Sequence, residues 1–197
     1  MLCARSPEAE RPVERTVKAP RHGRAAAHLH QGKVGFLLIT AAPLLIGAQS
    51  PQGNLEERLL AAHNRERATA GVSALHWDAR LAASASHWAA RLAVDGQLLH
   101  QSGASGSGHG ENLWIGTVGR FGPEAMVGQW AEEKANFVPG SFPFVSRTGR
   151  WEDVGHYTQI IWRDTRRVGC AIRSGPAWDV LVCRYSLPGN VAGEAPL

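Results

Sequence analysis

Glu133 stands where a carboxylate needs a reason. At about 100° per residue, Met126, Trp130 and Glu133 fall on one face of a helix, while Glu132 points away from it. A carboxylate on an apolar face must be paired, hydrogen-bonded or bound to a metal. A structural ion pair with an arginine is the plain alternative to a functional role. Histidine is the other donor in good supply, with nine in the chain. His63, His76 and His87 lie in or beside predicted helices and read as structural; His109, just before Glu111, stays open. No H-E-x-x-H and no G-x-S-x-G occurs, so neither a zincin helix nor a nucleophile elbow is written here. The Gly/Ser stretch Ser102 to Gly110 lacks the G-x-G-x-x-G and G-K-[ST] arrangements of a phosphate cradle.

The elements that must position these groups follow from pattern. Asn54 is expected to cap a first helix, with Glu57 at the capping-box position and Leu55, Leu59, Ala62 and Glu66 on the helical period, stopping at Gly71. Asp78 caps a second helix with the stripe Leu81, Ala85, Trp88 and Leu92, ended by Gly96. Pro123 opens a third, running to about Lys134. A long loop follows, about 136 to 154, carrying Phe137, Phe142, Phe144 and Trp151; loops of that length are often functional. Beyond it the chain reads as strand: Gln159 to Trp162, then Val168 to Ile172 and Asp179 to Cys183 about the turn Ser174-Gly175-Pro176. In that hairpin Cys170 and Cys183 can face one another at disulfide range. Two buried free thiols are the alternative. Helices first and a strand meander last argue α+β.

Charge excludes one class of partner. Residues 1 to 50 carry seven Lys and Arg against three Glu, and residues 51 to 197 carry fourteen of each sign, so the net +4 sits wholly in the first fifty residues. A neutral domain lacks the footprint of a general nucleic-acid binder. Val34 to Ile46 is apolar, preceded by Arg21, Arg24 and Lys33 and followed by Gly47, Ala48 and Ser50, which is the layout of a signal peptide. It is too short, with Pro43 at its centre, to span about 30 Å of hydrocarbon comfortably. The expected organisation is a disordered extension over 1–33, a signal region and cleavage zone over 34–50 and one domain over 54–193. That predicts a secreted or periplasmic protein with no integral membrane segment after cleavage. Cys3 would be lost with the leader, leaving an even pair for an oxidising compartment.

Four blocks then carry a resemblance. Gly110-Glu111-Asn112-Leu113, Trp130-Ala131-Glu132-Glu133-Lys134, Gly155-His156-Tyr157-Thr158-Gln159-Ile160-Ile161-Trp162 and Cys183 to Gly193 (C-R-Y-S-L-P-G-N-V-A-G) stand in the order seen in the CAP superfamily. That superfamily comprises cysteine-rich secretory proteins, antigen-five proteins and class-one pathogenesis-related proteins. The chain resembles its single-domain, bacterial-type (SCP-like) members. The resemblance implies a three-layer α-β-α sandwich around a central, mainly antiparallel sheet. It also implies a cleft tetrad of His100, Glu111, Glu133 and His156. Two imidazoles and two carboxylates suit a divalent cation such as Zn²⁺, and a metal-free hydrogen-bonded quartet is the alternative. The implied function is a binding module, with no catalytic residue assigned. Its occupant would be a lipid, sterol or other small ligand, with Phe137, Phe142, Phe144 and Trp151 as the candidate ligand loop, or an extracellular partner protein. A metal-dependent hydrolase using the tetrad is the second reading. Channel-directed functions tied to additional cysteine-rich domains do not transfer to a chain without those cysteines.

Overall fold

The computed structural model describes residues 51–101 and 108–197, with backbone alone for 51–54. The expected 1–33 extension and 34–50 signal region lie outside the described residues.

Four helices and four strands follow in the order α1 (Pro51–Thr69), β1 (His76–Trp77), α2 (Ala79–Asp95), β2 (Gly110–Thr117), α3 (Pro123–Glu132), α4 (Gly155–Ile161), β3 (Arg167–Ser174) and β4 (Trp178–Ser186). The strands form one sheet in the order β1-β3-β4-β2; β1 runs parallel to β3 and the other pairs are antiparallel. Alternation along β4 builds two cores. Val180 and Val182 face α2, meeting Ala85, Ala89, Leu92 and Ala93. Leu181, Cys183 and Tyr185 face the opposite layer, where α1, α3 and α4 supply Leu59, Met126, Trp130, Tyr157 and Ile160. The α-β-α sandwich is therefore as expected.

Local signals explain most boundaries. Asp78 Oδ1 accepts from the amides of Arg80 and Leu81, and Gly96 ends α2 at φ 64°. α1 stops before Gly71, whose φ is 74°. α3 gives way to a 3-10 turn, Glu133–Ala135. Cys170 pairs with Cys183 across the β3–β4 hairpin, and the two form a disulfide.

Three expectations need correction. α1 is already helical at Pro51, so Asn54 lies inside it and does not cap it. The second stripe centres on Ala89, with Trp88 only half-buried beside it. Gln159 to Ile161, expected as strand, belongs to α4, and Trp162 is its C-cap. The run is β-branched and aromatic, so its propensity favours strand. Tertiary contacts override that: His156 to Ile161 are all buried, and the acceptor that starts the helix comes from α3's end.

Candidate functional site

Glu133 is that acceptor. α4 has no side-chain cap of its own, because Val154 occupies the N-cap position. Glu133 Oε2 instead accepts from the backbone amides of His156 at 2.9 Å and Tyr157 at 3.0 Å. Its Oε1 meets His156 Nδ1 at 2.6 Å. The His156 ring lies parallel to Trp130, with centroids 5.9 Å apart. The carboxylate that the helical phase turned inward thus caps a helix and orients an imidazole at once.

Glu111 forms the second unit. Its side chain is buried, and its Oε1 meets His100 Nδ1 at 2.9 Å and the Gln101 amide at 3.2 Å. Its Oε2 accepts from Arg184 Nη2 at 3.2 Å. Glu111 and Arg184 are register partners on β2 and β4, so this is a cross-strand ion pair. Arg184 also bonds Ser84 Oγ and Gln101 Oε1.

Of the four expected tetrad residues, His100 thus pairs with Glu111 and His156 with Glu133. Among the described residues the only trio of donor atoms all within 4.8 Å of one another is His63, Cys170 and Cys183. With both sulfurs in a disulfide, that trio offers no thiolate to a metal. Strand β2 is the element that both pairs touch. Glu111 and Asn112 are consecutive on edge strand β2 and so point to opposite faces. Glu111 faces the α2 layer, while Asn112 Nδ2 reaches the His156 carbonyl at 3.1 Å. In both pairs the carboxylate takes Nδ1, which leaves Nε2 as the donor for a ligand; carboxylate behind imidazole is the arrangement that orients metal-binding histidines. The carboxylates themselves are spoken for, by Arg184 on one side and two amides on the other. In each pair the imidazole is therefore the group left to meet a ligand, with its carboxylate behind it.

A buried relay lies behind Asn112. His63 Nδ1 lies 2.8 Å from the Leu59 carbonyl, which can only accept, so Nδ1 carries the proton. Nε2 then accepts from the Tyr185 hydroxyl at 2.8 Å, and that oxygen accepts from Asn112 Nδ2 at 3.2 Å. Burial pushes His63 down from 6.5 to about 4 and holds the Tyr185 phenol well above its ordinary range. Fully buried Arg67 donates to the carbonyls of Ser73, Ile160, Trp162 and Thr165, fixing the end of α4. Burial lowers it to about 10. Arg67 carries no expectation from sequence, and Asn112 and Arg184 enter there only as members of their family blocks, with no role assigned. Their signal is a polar side chain on a buried phase, readable only once register is known.

The aromatic loop is used unevenly. Phe137 packs edge-on against Tyr157, and Phe142 against Trp151 and Trp162. Phe144 projects, 83% exposed, and Trp151 is 40% exposed.

The signature blocks are in contact with one another. A Cβ on Gly110 would stand 2.0 Å from Gln159 Oε1, and one on Gly189 would stand 2.9 Å from Gln159 Nε2. Thr158 Oγ1 donates to Asn190 Oδ1 at 2.6 Å, and Asn190 Nδ2 to the Gly155 carbonyl at 2.9 Å.

Comparison with known proteins identifies the family. The cysteine-rich secretory protein family (CAP) matches residues 60–185. Pathogenesis-related protein 1B of Nicotiana tabacum is 34% identical over 175 residues, covering 83% of this chain and 99% of that protein. A pathogenesis-related protein 1 of Arabidopsis thaliana is 37% identical over 136 residues, covering 68% and 78%. The crystal structure of NaASP2 with Zn²⁺ matches at a TM-score of 0.61 and 19% identity, over 77% of this chain and 87% of that one. BmVAL-1 matches at 0.58 and 21%, over 77% and 84%. At those identities the structural likeness bears on the fold. With the family matched across both His–Glu pairs and the hairpin, the chain belongs to the CAP family of cysteine-rich secretory proteins.

Proposed function

We propose that this protein is an exported CAP-domain binding module whose His100 and His156 present Nε2 to a divalent cation such as Zn²⁺. The observation that carries the reading is that each imidazole has its Nδ1 held by a carboxylate, at 2.9 Å from Glu111 and 2.6 Å from Glu133. NaASP2, a relative in fold, has been crystallised with Zn²⁺. A lipid, sterol or other small apolar ligand, or a partner protein, would meet the loop at Phe144 and Trp151, its two exposed rings. Export rests on the leader pattern, with cleavage between Gln49 and Asn54, on the secretory family and on the disulfide. Among the described residues no helix is long and apolar enough to cross a membrane.

The hydrolase reading has less support. A general base needs a free lone pair aimed at water, and both carboxylates are engaged by cations or amides.

Calorimetric titration of the exported protein with ZnCl₂ tests the proposal. His100→Ala and His156→Ala should each weaken binding at least tenfold, whereas His87→Ala, on α2's exposed face, should leave it unchanged. Equal binding by all three variants would assign the His–Glu pairs a structural role alone.

A further inference from the structure

Among the described residues the sheet has no strand along most of one edge. β1 pairs with β3 only at His76↔Arg167 and Trp77↔Val168, after which the chain turns at Asp78 into α2. β3 continues to Ser174 with β4 on its inner side and, among the described residues, no strand on its outer side. The Asp78 amide donates to the Val168 carbonyl at 2.9 Å, so Val168 directs its backbone groups outward. Backbone direction alternates along a strand, so Cys170 and Ile172 present theirs to the same open edge. The Ile172 carbonyl is met there by its neighbour's side chain, Arg173 Nη1, at 3.0 Å.

The two helical layers continue past the missing strand. Ala79, Ala82, Ala83 and Ser86 of α2 form one wall, and Leu55 and Glu56 of α1 the other. Between them, floored by Cys170 to Arg173 and bounded by Trp77, lies an open-sided slot of about 230 Å³. Pockets for drug-sized ligands run about 300–1,000 Å³, so a sterol-sized body does not fit. A single extended chain does, because the α2 wall carries nothing larger than a methyl or hydroxymethyl group.

We propose that this slot takes an extended peptide segment of a partner protein, added beside β3 in line with β1. Backbone bonds to Cys170 and Ile172 would hold it, as in strand-addition recognition. Charge specifies the sequence. Ala171 and Arg173 face the α2 layer, whereas Cys170 and Ile172 face the α1 layer. Arg173 reaches Ser86 Oγ at 2.5 Å, and neither Arg173 nor Glu56 joins an ion pair among the described residues. An incoming strand sends successive side chains to opposite walls. The complementary segment therefore carries an acidic residue toward Arg173, a basic one toward Glu56, and Ala, Gly or Ser beside them. Trp77 lines the slot with its Nε1 buried and without a partner, and a carbonyl of the added strand is the acceptor it lacks. The slot lies at the sheet edge opposite β2, so its occupant and the His–Glu pairs stand or fall separately.

The test is selection of a random heptapeptide library on phage against the exported protein, followed by calorimetry with the selected synthetic peptides. The expected peptides pair acidic with basic residues among small ones. Their binding should slow amide exchange at Cys170 and Ile172. Ala83→Arg, a change on an exposed helical position that fills the slot, should weaken binding at least tenfold, and Arg173→Glu should do so for the acidic peptides. No enrichment, unchanged binding to Ala83→Arg, or unaltered exchange at Cys170 and Ile172 would overturn the proposal. So would self-association through this edge that excludes the peptides. If Ala83→Arg fails to fold, the exchange measurement on the unsubstituted protein decides.

Discussion

Glu133 Oε2 lies 2.9 Å from the His156 amide while Oε1 of the same carboxylate lies 2.6 Å from that residue's Nδ1. One side chain at the end of α3 therefore both starts α4 and fixes the ring that α4 presents. Stability and site geometry are coupled here, and the coupling is measurable. Glu133→Ala removes the acceptor for two buried amides and is expected to cost about 2–4 kcal/mol, the sum of a lost cap and a charge-assisted bond. Glu133→Gln keeps a neutral oxygen for the amides and should recover about half of that. Urea titration of the two variants makes the comparison; equal losses would mean that a neutral oxygen restores none of the cap and that the carboxylate's charge carries it.

Gly110→Ala should destabilise from within the G-E-N block. Its Cβ would stand 2.0 Å from Gln159 Oε1, an atom that accepts the Gly189 amide at 2.9 Å and belongs to a buried residue. Displacing it leaves buried polar groups unpaired, so about 1–3 kcal/mol is expected in urea melts, with overpacking adding to it. Gly128→Ala, where a Cβ meets nothing within 4 Å, is the control and should be neutral or slightly stabilising within its helix.

Those two sites show what the sequence made legible. Asp78 and Gly96 bound α2 because capping and a left-handed φ are local chemistry, written in adjacent residues. The Cys170–Cys183 hairpin was readable because two apolar runs flank a turn of Gly and Pro. The Glu133 phase was readable because helical period is also local. α4 was not, since Gln159-Ile160-Ile161 favours strand by composition and its cap lies in another element. β1 was missed because two residues carry no period. The Glu111–Arg184 pair needed the β2–β4 register, and no local pattern supplies it. The family blocks drew attention to Glu111, Glu133 and His156, but the pairing of His100 with Glu111 and of His156 with Glu133 rests on contacts that the blocks do not state.

Reducing the hairpin tests its share of stability. The disulfide closes a loop with a sequence separation of 13, worth about 3 kcal/mol in the chain-entropy account. Cys170→Ala/Cys183→Ala should lower the urea midpoint accordingly while leaving far-ultraviolet circular dichroism intact. Unreduced, denatured exported protein should show no titratable thiol. Two thiols per chain would contradict the bond.

His63 gives the domain an acid limit. It is buried as the neutral Nδ1–H tautomer, bonded to Leu59 and Tyr185, and burial lowers it from 6.5 to about 4. Between those values the unfolded chain takes up a proton that the folded one refuses. The contribution is therefore complete above pH 6.5 and is lost as pH falls toward 4. The interval corresponds to about 3 kcal/mol at 1.36 kcal/mol per pKa unit. His63→Phe keeps a ring in the core but cannot titrate. It should be less stable at pH 7 by about 1–3 kcal/mol, because the Tyr185 hydroxyl loses its acceptor and the Leu59 carbonyl its donor. Its stability should then fall less steeply on acidification, so that the two proteins converge near pH 4. Urea melts of both at pH 7, 6, 5 and 4 provide the measurement. Parallel curves across that range would show that His63 is not the group that sets the acid limit.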